Sequence, residues 1–182
     1  MDISIENIID DVLRAEAGFV NDPADNGGET NHGITLAVAR AYGYQGPMRD
    51  LPVSLARDIY RNRYIFTPKF DQVASINLSI GAELIDTGVN MGPSRAAEFL
   101  QRWLNGFNDS GSRYQELFVD GRLGNISLGA LQSFIKWRGP EGVAVLLRAL
   151  NSIQGARYLE ITESNRSQRK FLYGWVKERV KL

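Results

Sequence analysis

EAGFVNDPADNGGETNHGIT, residues 16–35, crowds acids, glycines and amides into one short stretch directly after an apolar segment. In that segment Ile5, Ile8, Ile9, Val12 and Leu13 recur at helical spacing, with Glu6, Asn7, Asp10, Asp11 and Arg14 on the other side. The next position on the apolar stripe is 16, three residues after Leu13 and four after Val12. Glu16 therefore continues the apolar face at the helix end. A carboxylate there loses hydration, which favours the neutral acid and raises its pKa. A general acid working near neutral pH needs that property. The same spacing also fits a side chain that swings past the helix end into water or pairs with an arginine.

Downstream, Val20 to Ile34 is the best place for a small hairpin, with Gly27–Gly28 as its turn. Such a hairpin would fold Asp22, Asp25 and Thr30 back toward Glu16. A second carboxylate beside a general acid can hold a water or stabilise a cationic sugar, and a threonine hydroxyl can help position that water. A calcium loop fits less well, because the third position counted from Asp22 is Ala24, which offers no side-chain oxygen. No phosphate-binding G-x-x-x-x-G-K-[ST] pattern is present. His32 is the only histidine, so a multi-histidine metal centre is excluded, and His32 reads as a loop or cleft-lining residue.

The rest of the chain reads as mainly helical. Thr35 is placed to cap a short helix ending before Gly43, and Ser54 to cap a helix stopped by Pro68. LSIGAELIDTGVNMG (78–92) is apolar on nearly all sides, which predicts a central buried helix. Pro93 suits the first turn of the next one. Ser127 opens a further helix, Pro140 opens a long segment to about Ser164, and Ser167 caps a last helix with Phe171, Leu172, Trp175 and Val176 inward. Trp103 and Trp137 read as core. Loops rich in Gly, Asn and Asp lie at 105–113 and 120–127.

The formal net charge of the 182 residues is zero, so no global field favours nucleic acid. Acids nevertheless collect in residues 1–30 and bases in 157–182. These runs are either two solvated faces or an acidic catalytic end and a basic end that meets an anionic polymer. The absence of cysteine excludes disulfides, thiolate nucleophiles and cysteine zinc sites. MDISIENIIDDVLRAE has neither the basic start of a signal peptide nor an apolar run of membrane-spanning length.

Residues 16–35 resemble the N-terminal signature of the phage-type lysozymes of glycoside hydrolase family 108, roughly E-G-G-[YF]-[VS]-N-D-P-x-D-x-G-G-x-T-N-x-G-I-T. LIDTGVNMGPSRAAEFLQRWLN (84–105) is similar to the family's central helix pair, and VDGRLGNISLGAL (119–131) to the D-G-x-x-G-x-x-[TS]-L motif of its peptidoglycan-binding part. FLYGWVKERV (171–180) resembles its closing helix. Ala17 stands where the family has glycine and Asn26 where proline is common.

The resemblance implies an α+β, mainly helical, lysozyme-like two-lobed fold with a small N-terminal hairpin. It implies a catalytic lobe at 1–105 and a helical, peptidoglycan-binding lobe at 106–182. The family's glutamate maps onto Glu16, and Glu16, Asp25 and Thr30 match the order of a Glu–Asp–Thr trio. Asp22 is the alternative partner, or a turn residue capping its own backbone. Asn31, His32, Asp86 and Asn90 are candidate substrate-binding residues. The implied activity is hydrolysis of the β-1,4 bond between N-acetylmuramic acid and N-acetylglucosamine, with no metal or organic cofactor. The implied partner is the peptidoglycan glycan strand, met by a monomer with no membrane span and no nucleic acid. The implied setting is a phage or prophage endolysin, made in the host cytoplasm and acting on the periplasmic wall after release. A host-encoded muramidase and a non-catalytic wall-binding virion module are the alternatives.

Overall fold

The computed structural model describes residues 5–15, 18–20 and 28–180. The chain forms two compact units, divided after Thr67.

The first unit opens with helix α1 (Ile5–Ala15). Of its apolar stripe, Ile9 and Leu13 are buried, as the spacing predicts. Three short strands follow: β1 (Phe19–Val20), β2 (Thr30–Asn31) and β3 (Ile34–Thr35). They form one antiparallel sheet in that order, with Phe19 opposite Asn31 and Asn31 opposite Ile34. β1 and β2 pair across the connection in which Gly27–Gly28 is expected to turn, and a second, tight turn joins β2 to β3 at His32–Gly33. Both turn residues are left-handed, with φ of 50° and 70°. Two such residues make the turn whose twist suits a two-residue hairpin. Gly27 lies outside the described residues.

Thr35 caps α2 (Leu36–Ala41) by accepting from the Val38 N–H at 3.4 Å. Helix α3 (Val53–Arg61) runs on into a π-helical turn, Asn62–Phe66. Its cap is Pro52, whose carbonyl accepts the Ala56 N–H at 3.0 Å. Ser54 therefore sits inside the first turn and is not the cap. Ile34, Ala39, Met48, Ile59 and Ile65 form the buried centre of this unit.

The second unit is helical: α4 (Phe70–Ile76), α5 (Leu78–Met91), α6 (Pro93–Gly106), α7 (Asn125–Ser164) and α8 (Arg169–Arg179). Helix α5 is the central one and packs against α4, α6 and α7. Its approach to α4 requires Gly81, where an added Cβ would stand 2.5 Å from the Ala74 Cα. Helix α7 is broken at Gly139 (φ 64°, ψ −157°) ahead of Pro140, as the proline suggests.

The ends of this unit differ from expectation. Helix α7 begins at Asn125, so Ser127 is a buried first-turn residue. Asn165 replaces Ser167 as the cap before α8, accepting the Ser167 N–H and hydroxyl at 3.1 and 2.8 Å. No residue of α8 is fully buried. Phe171 and Val176 are exposed, and α8 holds to α7 through Trp175, whose ring stacks on Tyr158 at 5.2 Å. One large aromatic contact takes the place of a continuous apolar seam.

Candidate active site

Glu16, Asp22 and Asp25 lie outside the described residues. In the first unit, the last turns of α1 border a groove of about 350 Å³ lined by Asp10, Leu13, Arg14, His32, Val53 and Arg57. Leu13 and Val53 supply apolar surface, and the other four supply charge or an imidazole. Glu6 and Asp10 of α1 are committed to α3. Arg57 pairs with Asp10, and it reaches Glu6 at 3.2 Å. Arg61 reaches Glu6 at 2.6 Å. These guanidinium contacts, Arg61 first, hold the Glu6 carboxyl below the usual range. This part of the acidic N-terminal run is therefore a paired helix face.

Thr30, Asn31 and His32 sit together on β2 and its turn. Thr30 is half-buried, and its hydroxyl donates to the Gly28 carbonyl at 3.3 Å. Asn31 is buried, and its Nδ2 donates to the carbonyls of Met48 at 2.8 Å and Arg49 at 3.2 Å. That amide joins the sheet to the 3-10 turn Met48–Asp50. The His32 carbonyl accepts the Tyr60 hydroxyl at 3.2 Å, which steadies the left-handed turn while the imidazole borders the groove.

Asp86 and Asn90 sit together in the second unit, one turn apart on α5. Asn90 is exposed, and its Nδ2 donates to the Asp86 carbonyl at 2.7 Å. The Asp86 carboxylate accepts from Arg179 at 2.8 Å and from Gln154 at 3.4 Å, joining three helices. Tyr158 lies on the same face of α7 as Gln154. Burial, then the nearby Asp86 charge, pushes the Tyr158 phenol up to about 12. Neither Arg179 nor Gln154 stands out in the sequence, because each meets Asp86 only through folding.

The sequence reading also missed a set of amides that shape the D-G motif. Gln101, Asn105 and Asn108 follow one another down α6 and just beyond it. Asn105 exchanges two 2.8 Å hydrogen bonds with the backbone of Leu117. Asn108 is fully buried and accepts from the Tyr114 N–H at 3.0 Å while donating to its carbonyl at 2.9 Å. Gln101 accepts the N–H groups of Asp120 and Gly121 at 3.2 and 2.9 Å, and donates to the Asp120 carboxylate at 3.0 Å. That last bond, with the Arg122 N–H, holds the Asp120 carboxyl below the usual range. Gly121 is left-handed, and a Cβ there would come 2.2 Å from the Ser94 Oγ. The visible signal was the i, i+4, i+7 spacing of the three amides.

Trp103 stacks on Phe107 at 5.4 Å, and Phe107 on Phe134 at 5.6 Å. Trp137 is half-buried, with the guanidiniums of Arg113 and Arg138 over its ring at 4.4 and 3.7 Å.

Residues 9–92 match the model of the glycosyl hydrolase 108 family, and residues 95–180 match that described as "Predicted Peptidoglycan domain". The chain belongs to glycosyl hydrolase family 108. The solved structure of SagA from Brucella abortus matches it at 25% identity with a TM-score of 0.64, covering 94% of this chain and 87% of that one. No curated protein matches. This family 108 chain is a glycoside hydrolase acting on peptidoglycan, on a mainly helical α+β lysozyme-like fold. Among the described residues no helix is long and apolar enough to cross a membrane.

Proposed function

We propose that this family 108 hydrolase is a muramidase that cleaves the β-1,4 bond between N-acetylmuramic acid and N-acetylglucosamine. The carrying observation is the apolar face of α1. It is buried at Ile9 and Leu13, its last turns border a groove, and the next stripe position in the sequence is Glu16. In this reading Glu16 gives its proton to the glycosidic oxygen as the C1–O bond breaks. Asp25 and Thr30 orient the water that attacks C1 and stabilise the cationic sugar. The water's oxygen ends on C1, and its proton passes to a carboxylate.

His32, at the groove, and Asn90, exposed on α5, are proposed substrate contacts. Asn31 and Asp86 are proposed to act by positioning, because Asn31 Nδ2 is engaged with the backbone and both Asp86 carboxylate oxygens with Arg179 and Gln154. The segment 106–182 is proposed to hold the wall. The proposed setting is a phage or prophage endolysin, a monomer made in the host cytoplasm that reaches the wall once a separate protein permeabilises the membrane.

Mass spectrometry of digested, borohydride-reduced sacculi tests the bond. A muramidase leaves reduced muramic acid at the new ends. Reduced glucosamine at those ends would replace this reading with a glucosaminidase. Lysis on cytoplasmic expression that needs a co-expressed permeabilising protein supports the endolysin setting.

A further inference from the structure

The loop between α6 and α7 keeps its anchors inside and its largest apolar side chain outside. Leu117 is buried, and both of its backbone polar groups are taken by the Asn105 amide. The N–H groups of Asp120 and Gly121 are taken by Gln101. Between these fixed points Phe118 is 85% exposed and Val119 is 41% exposed. Ile126, 56% exposed, is next to Ser127, whose hydroxyl lies 3.5 Å from the same Gln101 amide. With 117 pinned by the half-buried Asn105 and 120 by the buried Gln101, the loop leaves Phe118 out in water. What makes the exposure informative is that Phe118 is not single: Val119, next to it in the chain, is exposed as well.

We propose that Phe118, with Val119 next to it in the chain and Ile126 exposed at the start of α7, is a sugar-stacking tip that holds an N-acetylated glycan strand. The inference rests on the reading of the chain as a peptidoglycan hydrolase and gives its second part a specific contact. One face of a pyranose presents C–H groups, which pack on the electron-rich face of an aromatic ring. Its edges carry hydroxyl and acetamido groups, which need acceptors and donors. Asp120 and Arg122, both exposed, follow Phe118 within a few residues and offer both kinds. The area argues against a protein partner. Three such side chains offer on the order of 400 Å², about half of the roughly 800 Å² that each side of a stable protein interface contributes. The tip also lies inside the segment that matches the peptidoglycan domain model.

The test is co-sedimentation of the full chain with purified sacculi, comparing wild type, Phe118→Ala and Phe118→Trp. Each is also assayed for hydrolysis of short soluble glycan oligomers and for thermal unfolding. The expected result is sacculus binding weakened about three- to tenfold in Phe118→Ala. Binding returns in Phe118→Trp, and oligomer turnover and melting are unchanged in both. Equal sacculus binding by wild type and Phe118→Ala overturns the proposal. So does wild type that hydrolyses oligomers without binding sacculi, or a change in Phe118→Ala confined to self-association on size-exclusion or to lipid-vesicle binding. Failure of the underlying reading shows separately, as wild type that releases no new reducing ends from sacculi.

Discussion

Arg179 Nη1 lies 2.8 Å from Asp86 Oδ1, and each side chain is 24% exposed. The pair ties the end of the last helix to the central one, and Gln154 joins it from α7 at 3.4 Å. Helix α8 buries no residue completely, so this contact and the Trp175 stack carry much of its attachment. Arg179→Ala should cost about 1–3 kcal/mol, since it strips a partly buried carboxylate of its main partner. For a chain of this length that is a fall of roughly 2–10 °C in melting temperature. Asp86→Asn keeps one acceptor, for Arg179, and its new amide group can donate to Gln154 Oε1 once that amide turns over, so it should melt closer to wild type and retain hydrolysis. A large loss of activity in Asp86→Asn with unchanged melting would make Asp86 a substrate contact.

Gln101 is the second test. Its replacement by Leu leaves the N–H groups of Asp120 and Gly121 without their acceptor, at a cost of about 2–4 kcal/mol. Urea unfolding should show the loss as a lower midpoint. A midpoint within about 0.5 kcal/mol of wild type would mean that the loop holds itself without this amide.

Two of the seven tyrosines supply a pH signature. Burial, aided by the Glu116 charge, pushes Tyr114 up to about 12, and Tyr158 also rises to about 12. Their ordinary value is 10.0, so the folded protein binds these protons more tightly than the unfolded chain. The stabilisation is complete below pH 10 and is lost as pH rises toward about 12. Absorbance titration should show late-ionising phenols that disappear from the curve in denaturant. Late phenols that persist in Tyr114→Phe/Tyr158→Phe would contradict the assignment.

The legible parts of the fold are those set by local chemistry. The stripe of α1, the all-round apolarity of α5, Pro93 and the Gly139–Pro140 break each act within a turn or two of chain. The turn at His32–Gly33 was hidden because few non-glycine residues of any type take a left-handed position, so a lone histidine before glycine is a weak turn signal even though histidine is enriched there. Helix α4 is short and starts from Lys69 at φ 62°, so it carries neither a long period nor a standard cap. The Asp86 clamp joins residues separated by 68 and 93 positions, and no window of sequence contains it. The same limit applies to the candidate site. His32 and Asn31 are adjacent in sequence, yet one borders the groove and the other spends its amide on Met48 and Arg49.

The two aspartates of the N-terminal motif are separable by mutation. Asp25→Asn should lower turnover by about two orders of magnitude with little change in melting, as expected for a group acting on the water. Asp22→Asn should lower melting more than turnover if the proposed job of its carboxylate is to shape a turn before Pro23. Matching activity losses at both sites with unchanged melting would assign both to the chemistry.

The most direct measurement is the release of reducing ends from purified sacculi by Glu16→Gln beside wild type. Glutamine keeps the shape of glutamate and removes the proton that the leaving oxygen must receive. Release should fall at least about a hundredfold, while melting stays equal to or above wild type, because a neutral amide is easier to bury than a carboxylate. Release within a few-fold of wild type by a folded Glu16→Gln protein would contradict the account, and the general acid would have to be sought elsewhere in the chain.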